Sequence, residues 1–144
     1  MDARGAPDRY LILAVVLAGV FMAVIDGVVV SIALPTITGQ FGVDLDTTQW
    51  VITAYLLTMT VMLLPAGRLA ELTGRAPLFI GGLVLFTLAS GACGLAPSLP
   101  FLIAARMVQA LGGAMLFSIS NALIFDAFAF AERARALGYF GSTV

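Results

Sequence analysis

Four long apolar runs dominate the chain, separated by short polar stretches. They cover about residues 11–35, 48–66, 77–95 and 101–125. Each is near the ~20 residues that a helix needs to cross a bilayer at 1.5 Å rise per residue. The runs are continuous rather than alternating, which argues for helices and against the strands of a membrane barrel. After Arg135 another apolar stretch begins at about residue 136 and reaches Val144, too short to cross. The pattern predicts an all-α integral membrane bundle with four transmembrane helices and the start of a fifth. No linker or low-complexity segment divides residues 1–144, and no internal repeat stands out.

Composition agrees. Hydrophobic residues make up 61% of the chain and charged residues 10%, with a mean hydropathy of +1.09. A soluble domain carries about a quarter charged residues, so this surface is suited to a lipid bilayer. The first run continues past Asp26 and no small-x-small site closes it, so it reads as a retained span rather than a cleaved signal. There is no basic stripe for nucleic acid. There is no His, and Cys93 is alone, so His catalysis, a His metal site and an intrachain disulfide are excluded. Neither a nucleophile–base set nor a cofactor loop is present, which argues against an enzyme. Cys93 is expected to pack as a small hydrophobe.

The connections alternate in charge. The stretch from Gly39 to Asp46 holds Asp44 and Asp46 and no Arg, and residues 96–100 hold no charge. Arg4, Arg9, Arg68, Arg75, Arg133 and Arg135 fall on the other side, six of the seven basic residues. The positive-inside rule then predicts a multi-pass protein of the plasma (inner) membrane with a cytoplasmic N-terminus. Trp50 falls near the outer interface, where an aromatic anchor is expected.

Asp26 and Arg106 are the charges deepest in predicted spans. Each costs roughly 2.5–3.5 kcal/mol at a helix centre. Counted along their helices, both sit roughly 8–14 Å below the outer surface, so they can meet. Such a pair either fixes helix packing or carries function. Arg106, Gln109, Gly113 and Ser120 share a helical sector, which predicts that Gln109 and Gly113 line a cavity beside Arg106. Gly112, Gly113 and Ala114 suit close helix contact. Thr53, Tyr55, Thr58 and Thr60 do not share a face and are mostly read as structural. Asp126 ends the fourth span, where the helix dipole disfavours a carboxylate. Arg75 is its expected partner.

Residues 67–79 read Gly-Arg-Leu-Ala-Glu-Leu-Thr-Gly-Arg-Ala-Pro-Leu-Phe. This stretch resembles the loop between helices two and three of major facilitator transporters, Gly-x-Leu-Ala-Asp-x-x-Gly-Arg-Lys/Arg. Gly67, Leu69, Ala70, Gly74 and Arg75 match, Glu71 stands for Asp, and Ala76 replaces a cation. Residues 26–35, Asp-Gly-Val-Val-Val-Ser-Ile-Ala-Leu-Pro, are similar to the first-helix signature of the fourteen-helix drug:proton antiporter branch, Asp-x-Thr-Val-Val-Asn-Val-Ala-Leu-Pro. Val28 and Ser31 depart from it. Trp50 and residues 55–57 resemble the second helix of that branch. Arg106, Gln109 and Gly112 resemble its Arg-x-x-Gln-Gly motif with the glycine displaced, and residues 132–138 resemble the lead into helix five.

The resemblance spans essentially the whole chain in order. It implies an incomplete N-terminal bundle, with the helix-five antiporter motif and the second half beyond Val144. It also implies proton coupling through Asp26 and Arg106, and a gating loop built from Gly67, Arg68, Glu71, Gly74 and Arg75 with Asp126. The expected activity is proton-coupled export of drugs or small metabolites, with protons and a small-molecule substrate as partners and no cofactor or metal. The remainder of the transporter, or an oligomeric partner, would be needed. Two other readings stay open: a self-contained four-span oligomeric exporter, and a non-transporting truncated membrane protein.

Overall fold

A computed structural model of the chain describes residues 6–128 and 130–142. Arg4 and the last two residues of the fifth apolar run lie outside the described residues. Six helices follow in order: α1 Ala6–Phe41, α2 Leu45–Thr48, α3 Trp50–Thr73, α4 Arg75–Gly94, α5 Leu99–Ala127 and α6 Phe130–Gly141. Among the described residues there is no strand. Four helical stretches are long and apolar enough to cross a membrane: Tyr10–Phe41, Leu45–Thr73, Arg75–Gly94 and Leu99–Ala127.

The helices outrun the apolar stretches that announce them. Pro35 and Pro65 lie inside α1 and α3 rather than at their ends. Membrane helices tolerate such prolines because neighbouring groups satisfy the freed backbone. At 1.5 Å per residue the 36 residues of α1 run about 54 Å, well past the ~30 Å hydrocarbon core. The helix gives way at Gly42, whose φ of +63° turns the chain. Helix α6 starts at Phe130, earlier than residue 136. Hydropathy marks only its apolar part, whereas Glu132, Arg133 and Arg135 extend the helix backwards through its polar first turns.

The expected loop at residues 67–75 is a correction of a different kind. Gly67, Arg68 and Glu71 are helical, because the stretch is made of good helix formers with an Arg68–Glu71 ion pair one turn apart. The whole turn between α3 and α4 is Gly74, at φ +95°. Its N–H closes α3 on the Ala70 carbonyl. Pro77 sits in the first turn of α4, where a missing N–H costs nothing.

Helix α5 is the centre of the bundle, packing mainly on α4 and α3 and less on α1. Half of its apolar window is buried, against 22–28% for the other three spans. The outer faces of α1, α3 and α4 are therefore left to lipid or to further helices. The α4–α5 contact brings backbone against backbone. A Cβ on Gly112 would stand 2.7 Å from the Gly82 carbonyl and 2.7 Å from the Phe86 nitrogen, a small-residue approach typical of membrane helices. At the Asp44 end, Val51, Leu99 and Leu102 form a second apolar cluster with Ile37 and Phe41. There the Thr38 hydroxyl donates to Thr48 Oγ1 at 3.0 Å.

Candidate functional site

The polar sector of α5 points into the bundle: Arg106, Gln109, Gly113 and Ser120 are all buried. Asp26 reaches them from α1. The Arg106 Nη1 donates both to Asp26 Oδ2 and to Gln109 Oε1 at 2.7 Å. Gln109 Nε2 donates to Asp26 Oδ1 at 2.9 Å. Both carboxylate oxygens are thus occupied, one by a charge and one by an amide. The guanidinium also lies over the Tyr55 ring at 4.2 Å, a cation–π contact strengthened by desolvation. From α4 the Cys93 thiol donates to Gln109 Oε1 at 3.8 Å.

Burial divides the pair unequally. The Arg106 side chain is 2% exposed and that of Asp26 18%. Arg106 Nε is buried with no partner among the described residues. Asp26 is the counter-charge of a guanidinium held in a medium of low dielectric, where an unpaired charge is costly. The pair therefore ties α1 to α5. A crevice of about 310 Å³ adjoins the cluster between α1, α3, α4 and α5; Asp26, Arg106, Ser90, Cys93 and Gln40 lie in its wall, and most of the rest is apolar, with Val30, Ile37, Val51 and Leu102.

Some expectations need correction. Neither Gln109 nor Gly113 lines this crevice: Gln109 is fully buried behind its bonds to Asp26 and Arg106. Gly113 leaves room for Tyr55, since a Cβ there would stand 3.1 Å from the tyrosine oxygen. Cys93 is half-buried and packs against the Val51, Leu99 and Leu102 cluster as expected, and its thiol in addition reaches Gln109. Tyr55 was missed as a member of the site because periodicity on its own helix says nothing about a cation arriving from another.

At the opposite end, Arg75 pairs with Asp126 across the α4 and α5 termini. The two side chains are 43% and 58% exposed, so the pair adds about 1 kcal/mol at most. Gly67, Arg68, Glu71 and Arg75 lie along one groove of about 640 Å³ between α3 and α5. Arg133 of α6 donates to the Phe125 and Phe128 carbonyls, satisfying the C-terminal end of α5. At the Asp44 end, Asp44 caps α2. It accepts from the Thr47 hydroxyl at 2.6 Å and the Thr47 N–H at 3.2 Å. These bonds, the hydroxyl first, hold its carboxyl below the usual 3.8.

The family profile described as the Major Facilitator Superfamily matches residues 16–144. The chain belongs to the major facilitator superfamily. It is 34% identical over 137 residues to the riboflavin transporter RibZ of Clostridioides difficile, which covers 95% of this chain and 30% of that protein. It is 46% identical over 121 residues to the multidrug resistance protein Stp of Mycobacterium tuberculosis, covering 83% of this chain and 22% of Stp. It is 37% identical over 134 residues to the multidrug transporter protein MdtP of Bacillus subtilis, covering 93% and 25%. This facilitator chain thus spans under a third of the length of these relatives. Among solved structures, a bacterial homologue of the human lysosomal transporter Spinster, inward-facing and unoccupied, superimposes with a TM-score of 0.87 at 23% identity. The superposition covers 97% of this chain and 29% of that one, and it shows the facilitator fold. The chain is a multi-pass membrane protein of a transporter family.

Proposed function

We propose that this chain forms the proton-coupling bundle of a longer facilitator that exports drugs or small metabolites across the plasma membrane. The observation that carries the reading is the Asp26–Arg106–Gln109 cluster within the long apolar helices, with Arg106 and Gln109 buried and both carboxylate oxygens bonded. A charge in that position is expensive and marks function by default. Asp26 is the proton carrier. Arg106 and Gln109 are the partners that hold α1 to α5 while Asp26 is ionised. Gly74, the groove beside it and the Arg75–Asp126 pair form the gating end. The arginine distribution puts that end in the cytoplasm and Asp44 outside. Names of relatives support two substrate types, riboflavin and diverse drugs.

The test uses inverted membrane vesicles from cells making a transporter that contains this chain. An imposed pH gradient should drive accumulation of riboflavin or of ethidium. Asp26→Asn should abolish gradient-driven accumulation. Accumulation by the variant at the wild-type rate would contradict the reading.

A further inference from the structure

The side-chain bonds that hold Arg106 leave from one corner of its guanidinium. Nη1 donates to Asp26 Oδ2 and to Gln109 Oε1, while Nε is buried with no acceptor among the described residues. A fork on a carboxylate uses two nitrogens and resists swinging. Here the group is gripped at a corner, and its far edge is held by no such bond. The remaining contact is on its face, where the Tyr55 ring centroid lies 4.2 Å from the guanidinium carbon. The corner is gripped from α1 and α5, and the face is met from α3.

The ring is itself held in place. Tyr55 is 5% exposed and belongs to the main apolar cluster with Val16, Ala23, Phe86 and Leu116. Its oxygen lies against Gly113, where a Cβ would stand 3.1 Å away. The next neighbours of that Cβ are Phe86 and Met59, at 3.8 and 3.9 Å. All three are side chains, so no backbone approach calls for a glycine there, in contrast to Gly112. A methyl on Gly113 would push the tyrosine oxygen aside, and the ring would move with it.

We propose that Tyr55 is a positioning residue for the Asp26–Arg106–Gln109 cluster, its ring face holding the Arg106 guanidinium by cation–π attraction, and that Gly113 is the space that seats it. The attraction comes from the negative potential of the ring face, so an aliphatic side chain of similar bulk does not replace it. The effect on transport rests on the reading of Asp26 as the proton carrier; the effect on Arg106 does not.

The first measurement is made on the chain itself, in micelles, with its arginines labelled with heavy nitrogen. Protons above an aromatic face resonate upfield. The Arg106 N–H signals, assigned by their loss in Arg106→Lys, should lie upfield in the unaltered chain and move downfield in Tyr55→Leu. Signals that stay where they were would overturn the proposal. The second uses a transporter containing the chain, with phenylalanine or its mono-, di- and trifluorinated forms in place of Tyr55. Fluorines drain the ring face of negative potential with little change of shape. Proton flux driven by riboflavin or ethidium should fall with each fluorine, by about tenfold across the series. Equal flux across the series would mean that the ring acts by packing alone, which overturns the proposal. Gly113→Ala should lower the flux, and Tyr55→Phe in the same protein should restore it, because the oxygen in the way is gone. A double variant no better than Gly113→Ala overturns the seating role. Failure of the underlying reading is distinct: flux would then survive Asp26→Asn while the Arg106 signals stayed upfield.

Discussion

Gly112→Ala should be the most damaging single-methyl addition in the bundle. The added Cβ would meet the Gly82 carbonyl and the Phe86 nitrogen at 2.7 Å, and the Phe86 Cα at 3.0 Å. Ordinary contact begins near 3.4 Å, and all three neighbours are backbone. No rotamer change relieves the clash, so α4 must move as a unit. Overpacking of this kind costs about 1–3 kcal/mol, and the upper part of that range applies when backbone blocks the way. The gain in helix propensity from Gly to Ala returns about 1 kcal/mol, leaving a net loss of about 1–2 kcal/mol. Gly81→Ala and Gly91→Ala are the controls. Nothing lies within 4 Å of a Cβ at either position, so propensity alone acts and stability should hold or rise. Gly113→Ala falls between, since the Tyr55 oxygen at 3.1 Å belongs to a side chain that can give way. The assay is unfolding in mixed micelles followed by helical ellipticity. If Gly112→Ala unfolds together with Gly81→Ala, the backbone approach of α4 and α5 is not as described.

Gly74→Leu should cost about 1–3 kcal/mol through strain at positive φ, not through lack of room, since its Cβ would lie 3.5 Å from Pro77. Rapid proteolysis between α3 and α4 in the variant would show it, and wild-type resistance would refute it. Asp44 is held below 3.8 by its bonds from Thr47, so the α2 cap is intact above the ordinary carboxylate range and lost as pH falls through the lowered value. The Thr47 amide resonance should titrate with a midpoint below 3.8, and a midpoint at or above that value would contradict the cap. Asp26→Asn should destabilise the bundle more than Asp126→Asn. The first strips the charge partner from a 2%-exposed guanidinium and the second acts on an exposed pair. Equal unfolding midpoints would refute this.

The fold was legible because its signal is gross: apolar runs of bilayer length leave few alternatives. The meeting of Asp26 and Arg106 was legible from depth counting, and that of Arg75 and Asp126 from charge at one membrane surface. Helix ends were not, because hydropathy tracks the lipid rather than the hydrogen-bonded backbone. Arg68 and Glu71 look like loop residues by polarity and are helical by propensity. Tyr55, the reach of Cys93 to Gln109 and the role of Gly113 were hidden for another reason. Each is defined by what a different helix brings to it, and azimuth on one helix cannot supply that.

The central claim is that Asp26 gains and loses a proton during transport. The most direct measurement is proton release on substrate addition, followed with a pH indicator in weakly buffered detergent solution, for a purified transporter containing this chain. Riboflavin and ethidium serve as the added substrates. The wild-type protein should release protons when the substrate binds. Asp26→Asn should bind the same compound and release none, and Asp126→Asn should behave as wild type. Undiminished release from Asp26→Asn would mean that the Asp26–Arg106–Gln109 cluster only fixes the packing of α1 on α5, and that the proton is carried elsewhere.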